Sequence, residues 1–127
     1  MSHKAPAATG DPAKSPTPVV RKDLLTASIA GSKEVSRVEI KQIDFQPGQK
    51  SGLHHHPIPV VGYVARGSIA FQLEGGVLQT LHAGDPFFEP ANTRVPHFDN
   101  ASASEPATFI AYYLLGKDDQ KLIEMLE

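Results

Sequence analysis

Residues 48–67 read GQKSGLHHHPIPVVGYVARG, and the reading of this stretch decides how the rest of the chain is understood. On an extended strand successive side chains point to opposite faces, so His54 and His56 share one face about 6.6 Å apart along the strand, while His55 points the other way. Two imidazoles on one face can converge on a metal ion, which takes nitrogen ligands at roughly 2.0 to 2.2 Å. For an H-x-H pair standing alone, a polar turn with solvated histidines is the ordinary alternative. Turns bracket the stretch: Gln46-Pro47-Gly48-Gln49 on one side, and Arg66-Gly67 between strands expected over 60–65 and 68–73 on the other.

Upstream, Val38 and Ile40 alternate with Arg37, Glu39 and Lys41, and the phase then moves to Ile43 and Phe45, which predicts a strand with a bulge near Gln42. Downstream, short apolar stretches over 77–81, 87–89 and 95–98 are separated by Gly, Pro, Asn and Asp, so the body reads as all-β, sheet upon sheet. The run 109–115 has no polar break except tyrosine hydroxyls, so both of its faces need cover. A partner subunit, giving a homodimer, or an intrachain flap would supply the outer one. Beyond Gly116, the helical spacing of Leu122, Ile123, Met125 and Leu126 behind Asp118 and Asp119 predicts a short terminal helix from about residue 117. Residues 1–18 carry four prolines and no Val, Ile, Leu, Phe or Tyr, and are expected to form a flexible arm ahead of a single domain over 19–127.

Composition narrows the chemistry. The chain has 127 residues, 40% hydrophobic and 20% charged, with no cysteine, so thiol nucleophiles, zinc fingers and iron-sulfur clusters are excluded and any metal must be held by histidine, carboxylate or carbonyl groups. A net charge of -2 with 12 Lys+Arg offers no basic stripe for nucleic acid. No apolar run suits a membrane span or a signal peptide, so the expected location is cytoplasmic, or periplasmic or secreted if a signal peptide has been removed. Phosphate-binding glycine loops, the G-x-S-x-G elbow and H-E-x-x-H are absent.

The order of turns, strands and histidines resembles the cupin superfamily, in the form of a small single-domain cupin. The first cupin motif, G-x5-H-x-H-x3-E-x6-G, is matched by Gly48, His54, His56 and Gly67, with Val60 at the place of the glutamate. The second, G-x5-P-x-G-x2-H-x3-N, is matched by Gly84 and Pro90, with Val95 at the place of the histidine and Asn100 displaced by one position. The resemblance spans about Gly48 to Leu115 and implies a jelly-roll β-barrel.

His97 lies two residues beyond Val95, on the same face of a regular strand, and an irregularity at Pro96 could bring it beside His54 and His56. The expected metal ligands are therefore His54, His56 and His97, for Fe, Mn, Ni, Zn or Cu, or for no metal at all if the site is degenerate. With Val60 in place of an acidic ligand, three neutral imidazoles would leave a charge of about +2 uncompensated and attract a carboxylate or enolate. Glu89 and Asp99 are further candidate ligands, although carboxylates are mostly exposed. Val60, Val64, Phe71 and Val95 are expected to line an apolar small-molecule cavity, or else to fill the core of so small a barrel. Two functions follow: a metal-dependent enzyme, an oxygenase or isomerase acting on a small organic anion, or a non-catalytic binding or sensing barrel without metal.

Overall fold

The computed structural model describes residues 17–126, so the expected arm falls outside the described residues up to position 16. Nine strands follow one another: β1 (Arg37–Phe45), β2 (His54–His55), β3 (Val60–Arg66), β4 (Ser68–Gln72), β5 (Gln79–His82), β6 (Pro86–Glu89), β7 (His97–Asn100), β8 (Ala107–Leu115) and β9 (Glu124–Met125). All pairings between them are antiparallel. One sheet has the order β1-β8-β3-β6, a second the order β5-β4-β7, and β2 pairs with β9. The two larger sheets face each other across one core, giving the jelly-roll β-barrel that the sequence implies.

Phenylalanines lock the two sheets together. Phe98 on β7 lies 4.6 Å from Phe109 on β8, 4.8 Å from Phe87 on β6 and 5.5 Å from Phe71 on β4, measured between ring centroids. Such tilted and edge-on aromatic pairs contribute about 0.5–1.5 kcal/mol each beyond the area they bury. Gly62 lets this cluster close, because a Cβ there would run into the Phe87 ring and the Ile110 carbonyl oxygen. Gly67 turns the chain from β3 to β4 at a φ of 79°, a left-handed conformation that side chains disfavour.

β8 alternates without a break, with Phe109, Ala111, Tyr113 and Leu115 inward and Ile110, Tyr112 and Leu114 on the half-covered outer face. Residues 22–27 border a groove with Val61, Tyr63 and Tyr112, so a stretch of this chain lies against part of that outer face. The bulge expected near Gln42 is absent. β1 pairs with β8 in unbroken register from Arg37↔Leu115 to Phe45↔Ala107. Val38 and Ile40 simply face outward, 49% and 61% exposed, while Ile43 and Phe45 face the core. The register shift lies instead in β3, between Val64 and Arg66.

The expected terminal helix is absent too. Asp119 does not start a helix; its Oδ2 accepts the Gly116 N–H and pairs with Lys33. The chain beyond it runs extended and pairs His54↔Met125 and His55↔Glu124. A helix of so few turns is marginal alone, whereas the backbone of residues 53–55 offers a strand edge on which the tail pairs. Among the described residues, no helix is long and apolar enough to cross a membrane.

Candidate metal centre

Three side chains from two parts of the barrel meet in its interior. His54, His56 and Glu89 are all buried, and each offers a ligand atom within 4.8 Å of the others. His54 is fixed by a reciprocal backbone bridge to Val95, with N–H···O distances of 3.3 and 2.7 Å. The backbone at His56 is held by the Asn92 N–H, which donates to its carbonyl at 2.7 Å. Glu89 ends β6, directly opposite Val60 of β3. The carboxylate that the cupin pattern places at position 60 is thus supplied from the facing position on the neighbouring strand, a few ångströms away.

The tautomers of the two imidazoles follow from their other contacts. His54 Nδ1 lies 2.8 Å from the Gly52 carbonyl oxygen and His56 Nδ1 lies 2.7 Å from that of Leu122. Carbonyls only accept, so both Nδ1 atoms carry the proton and, in the neutral rings, both Nε2 lone pairs are free. These Nε2 atoms face Glu89 Oε1 at 3.6 Å from His54 and 2.6 Å from His56. Oε1 is buried and has no partner with hydrogen-bond geometry, although such atoms are rarely left unpaired. Three electron-rich atoms converge on one point, a demand that a cation satisfies and that a proton on one imidazole satisfies in part.

The electrostatics carry the same tension. For Glu89, burial is the largest influence and favours the neutral acid, but the two imidazoles that face it outweigh burial and hold its pKa below the ordinary value. For His54, burial favours the neutral ring, yet Glu89, the Gly52 carbonyl and the charge of Asp99 outweigh it and raise its pKa. The Tyr113 pKa is raised by burial first and then by the charges of Glu89 and Glu39, so its hydroxyl stays protonated.

The centre forms the polar corner of a cavity of about 200 Å³. The walls include Ile43, Phe45, Phe87, Phe109, Tyr113 and Ile123. Of the lining expected from sequence, Val60 takes its place here; Val64, Phe71 and Val95 are buried in the hydrophobic core instead. Tyr113 of the 109–115 run has inward parity and lines the cavity.

His97 does not join His54 and His56. Its side chain is 47% exposed and its Nδ1 lies 2.9 Å from Asp99 Oδ2. Pro96 interrupts the strand, and pairing resumes with Phe71↔Phe98 and Gln72↔His97, which puts Phe98 rather than His97 on the inner face. Asp99 is buried but stands outside the group of converging ligand atoms, accepting the Ser51 N–H at 3.1 Å. The signal for Glu89 was present in the sequence: Phe87 and Glu89 share a face, and a phenylalanine in the core carries the glutamate inward with it.

Comparison with known proteins agrees with this fold. The chain is similar in structure to a cupin-like protein from Thermotoga maritima, with a TM-score of 0.60 and 25% identity over 70% of this chain and 64% of that one. It is also similar to an oxalate oxidase solved with the substrate analogue glycolate, with a TM-score of 0.58 and 21% identity over 70% of this chain and 46% of that one. A DMSP lyase from Ruegeria pomeroyi gives a TM-score of 0.59 and 16% identity over 69% of this chain and 42% of that one. The chain thus spans less than half the length of the latter two, and those likenesses show the fold alone. No curated protein matches it in sequence. The family model for the cupin domain covers residues 42–113, which takes in His54, His56 and Glu89, and by that match the chain belongs to the cupin family.

Proposed function

We propose that the chain is a metal-dependent cupin in which His54, His56 and Glu89 hold one divalent transition metal beside a cavity for a small organic anion. The observation that carries this reading is the unpartnered, buried Glu89 Oε1 facing two imidazole nitrogens whose protons are committed elsewhere. Two histidines and a carboxylate form the donor set typical of non-haem Fe(II) oxygenases, and they also suit Mn, Ni, Zn or Cu. An ion there would supply Lewis-acid or redox chemistry to a ligand in the cavity. Glu89 lowers the net charge of a filled site to about +1, which favours a monoanion such as a carboxylate or enolate. A cavity of about 200 Å³ lies below the usual size of drug-like pockets and limits the ligand to a few heavy atoms beyond its anionic head. The chain's own part is to orient that head through the Tyr113 hydroxyl and to keep water from it with apolar walls. Oxygenation or isomerisation of such an anion is the reaction class.

A second reading has its own support. The raised pKa of His54 lets a proton sit where the ion would, giving a metal-free binding barrel held by an imidazolium–carboxylate pair. Elemental analysis of protein purified without a nickel column separates the two. About one metal per chain, absent from His54→Ala, is expected for the first. Metal-free protein whose melting temperature no added divalent ion raises would leave only the second.

A homodimer through the outer face of β1 and β8 completes the proposal. Val38 and Ile40 are exposed beside their half-buried cross-strand partners Leu114 and Tyr112, and with them form an apolar strip. Sedimentation is expected to give twice the chain mass, with Ile40→Glu shifting it toward the monomer. A monomeric wild type would overturn this part alone.

A further inference from the structure

We infer that the extended C-terminal strap, Leu122 to Leu126, is a positioning element of the metal centre: its backbone orients His56 and its Ile123 side chain closes part of the cavity wall. The inference rests on the metal-binding reading above. A metal-ligating histidine needs a partner for its other ring nitrogen, and that partner fixes the ring's tautomer and direction. For His54 the partner is local, the Gly52 carbonyl two residues away. For His56 it is the Leu122 carbonyl, 66 residues further along the chain. The orientation of one ligand therefore depends on whether the tail is docked.

The docking is directed at the ligand segment and at little else. His55 Nε2 and Glu124 Oε1 are 2.7 Å apart, and the Leu126 N–H donates to the Leu53 carbonyl at 2.9 Å. With the His56 contact and the two-residue β2–β9 ladder, every hydrogen bond between the strap and the barrel, among the described residues, ends on residues 53–56. Ile123 lines the cavity while remaining 43% exposed, so it forms part of the outer wall. The Met125 side chain approaches Gly52 so closely that a Cβ there would lie 3.1 Å from its terminal methyl. Upstream, Asp119 holds the point of departure through Gly116, Lys33 and Arg37. A strap with so short a ladder and two exposed apolar side chains opens at low cost compared with the barrel strands. A firm anchor followed by a lightly held strap makes a flap over the ligands.

The test compares full-length protein with Glu124→Ala, with Leu126→Pro, which removes the N–H donated to Leu53, and with the double variant. Zn²⁺ titration reads affinity, release to excess chelator reads closure, and ring ¹⁵N shifts of the metal-free protein read the His56 tautomer. The double variant is expected to bind Zn²⁺ about 10–100-fold more weakly, the usual loss for an outer-shell partner. It should also release the ion faster and lose the fixed Nδ1–H form of His56, with its melting temperature in EDTA little changed. Glu124→Gln, which keeps an acceptor for His55, should recover most of the affinity. Wild-type affinity, release and tautomer in the double variant would overturn the role of the strap and leave the metal reading intact. Failure of the wild type to take up any metal would overturn both.

Discussion

Glu89 and His97 show how a single side chain's role is settled by parity and register together. Both stand near a proline at a strand end, and both could be drawn toward the histidine pair. Glu89 alternates regularly with Phe87 and faces Val60, so its carboxylate enters the interior. His97 follows Pro96, and the interrupted ladder resets the alternation so that Phe98 takes the inner position. Counting by two across a proline is therefore unsafe, whereas counting by two within the Phe87–Glu89 stretch is safe. Glu89→Gln keeps the shape but removes the anionic ligand and is expected to lower Zn²⁺ affinity by more than about 100-fold, beyond the loss typical of an outer-shell partner. His97→Ala is expected to leave the affinity unchanged within about twofold, since its ring lies outside the group of converging ligand atoms. Calorimetric titration of both variants checks the pair; a large loss in His97→Ala with none in Glu89→Gln would reverse the assignment.

At the level of elements, most strands could be read from apolar alternation and turn residues because their neighbours in space obey the same alternation. The tail could not. Leu122, Ile123, Met125 and Leu126 fit a helix by spacing, but the choice between helix and strand was made by pairing with residues 53–55, far away in sequence. The same holds for Asn100, which matches a glycosylation sequon yet is buried and serves as a three-way clamp. Its amide donates to the Gln46 carbonyl at 3.0 Å and the Glu105 carbonyl at 2.7 Å, and its Oδ1 accepts the Ser102 N–H at 2.9 Å. These bonds tie β7 to the turn after β1 and to the loop before β8. Asn100→Ala removes these three part-buried bonds, so it is expected to destabilise by about 1–3 kcal/mol in urea unfolding. Asn100→Asp keeps the acceptor but sets a carboxylate against two carbonyls. It should also destabilise, and more at neutral pH than near pH 4. A loss below about 0.5 kcal/mol in both variants would mean that water replaces the clamp.

For the whole molecule, the centre couples ion, proton and stability. The folded pKa of His54 lies above the ordinary 6.5, so its charged form adds stability that is fully present below 6.5 and disappears as the pH rises through the folded value. The folded pKa of Glu89 lies below the ordinary 4.5, so its charged form adds stability above 4.5 that is lost as the pH falls through the folded value. Without an ion, the pair is therefore most stabilising between 4.5 and 6.5 and weakens above that range. Ion binding has the opposite slope, because the imidazole must give up its proton before Nε2 can ligate. Adding Zn²⁺ at about 100 times its Kd stabilises the fold by about 2.7 kcal/mol if the ion binds only the native state. For a body of roughly 110 residues this corresponds to a rise in melting temperature on the order of 10 °C. Kept at a fixed Zn²⁺ concentration, that rise is expected in full near pH 8 and much reduced near pH 5.5, while the contribution of the pair in EDTA changes in the reverse direction. Calorimetric scans of wild type and Glu89→Gln, with and without Zn²⁺ at the two pH values, isolate the effect from the other titrating groups. If the Zn²⁺-induced rise is the same size at both pH values, the ion does not displace a proton from His54, and the coupling of ion to proton is overturned.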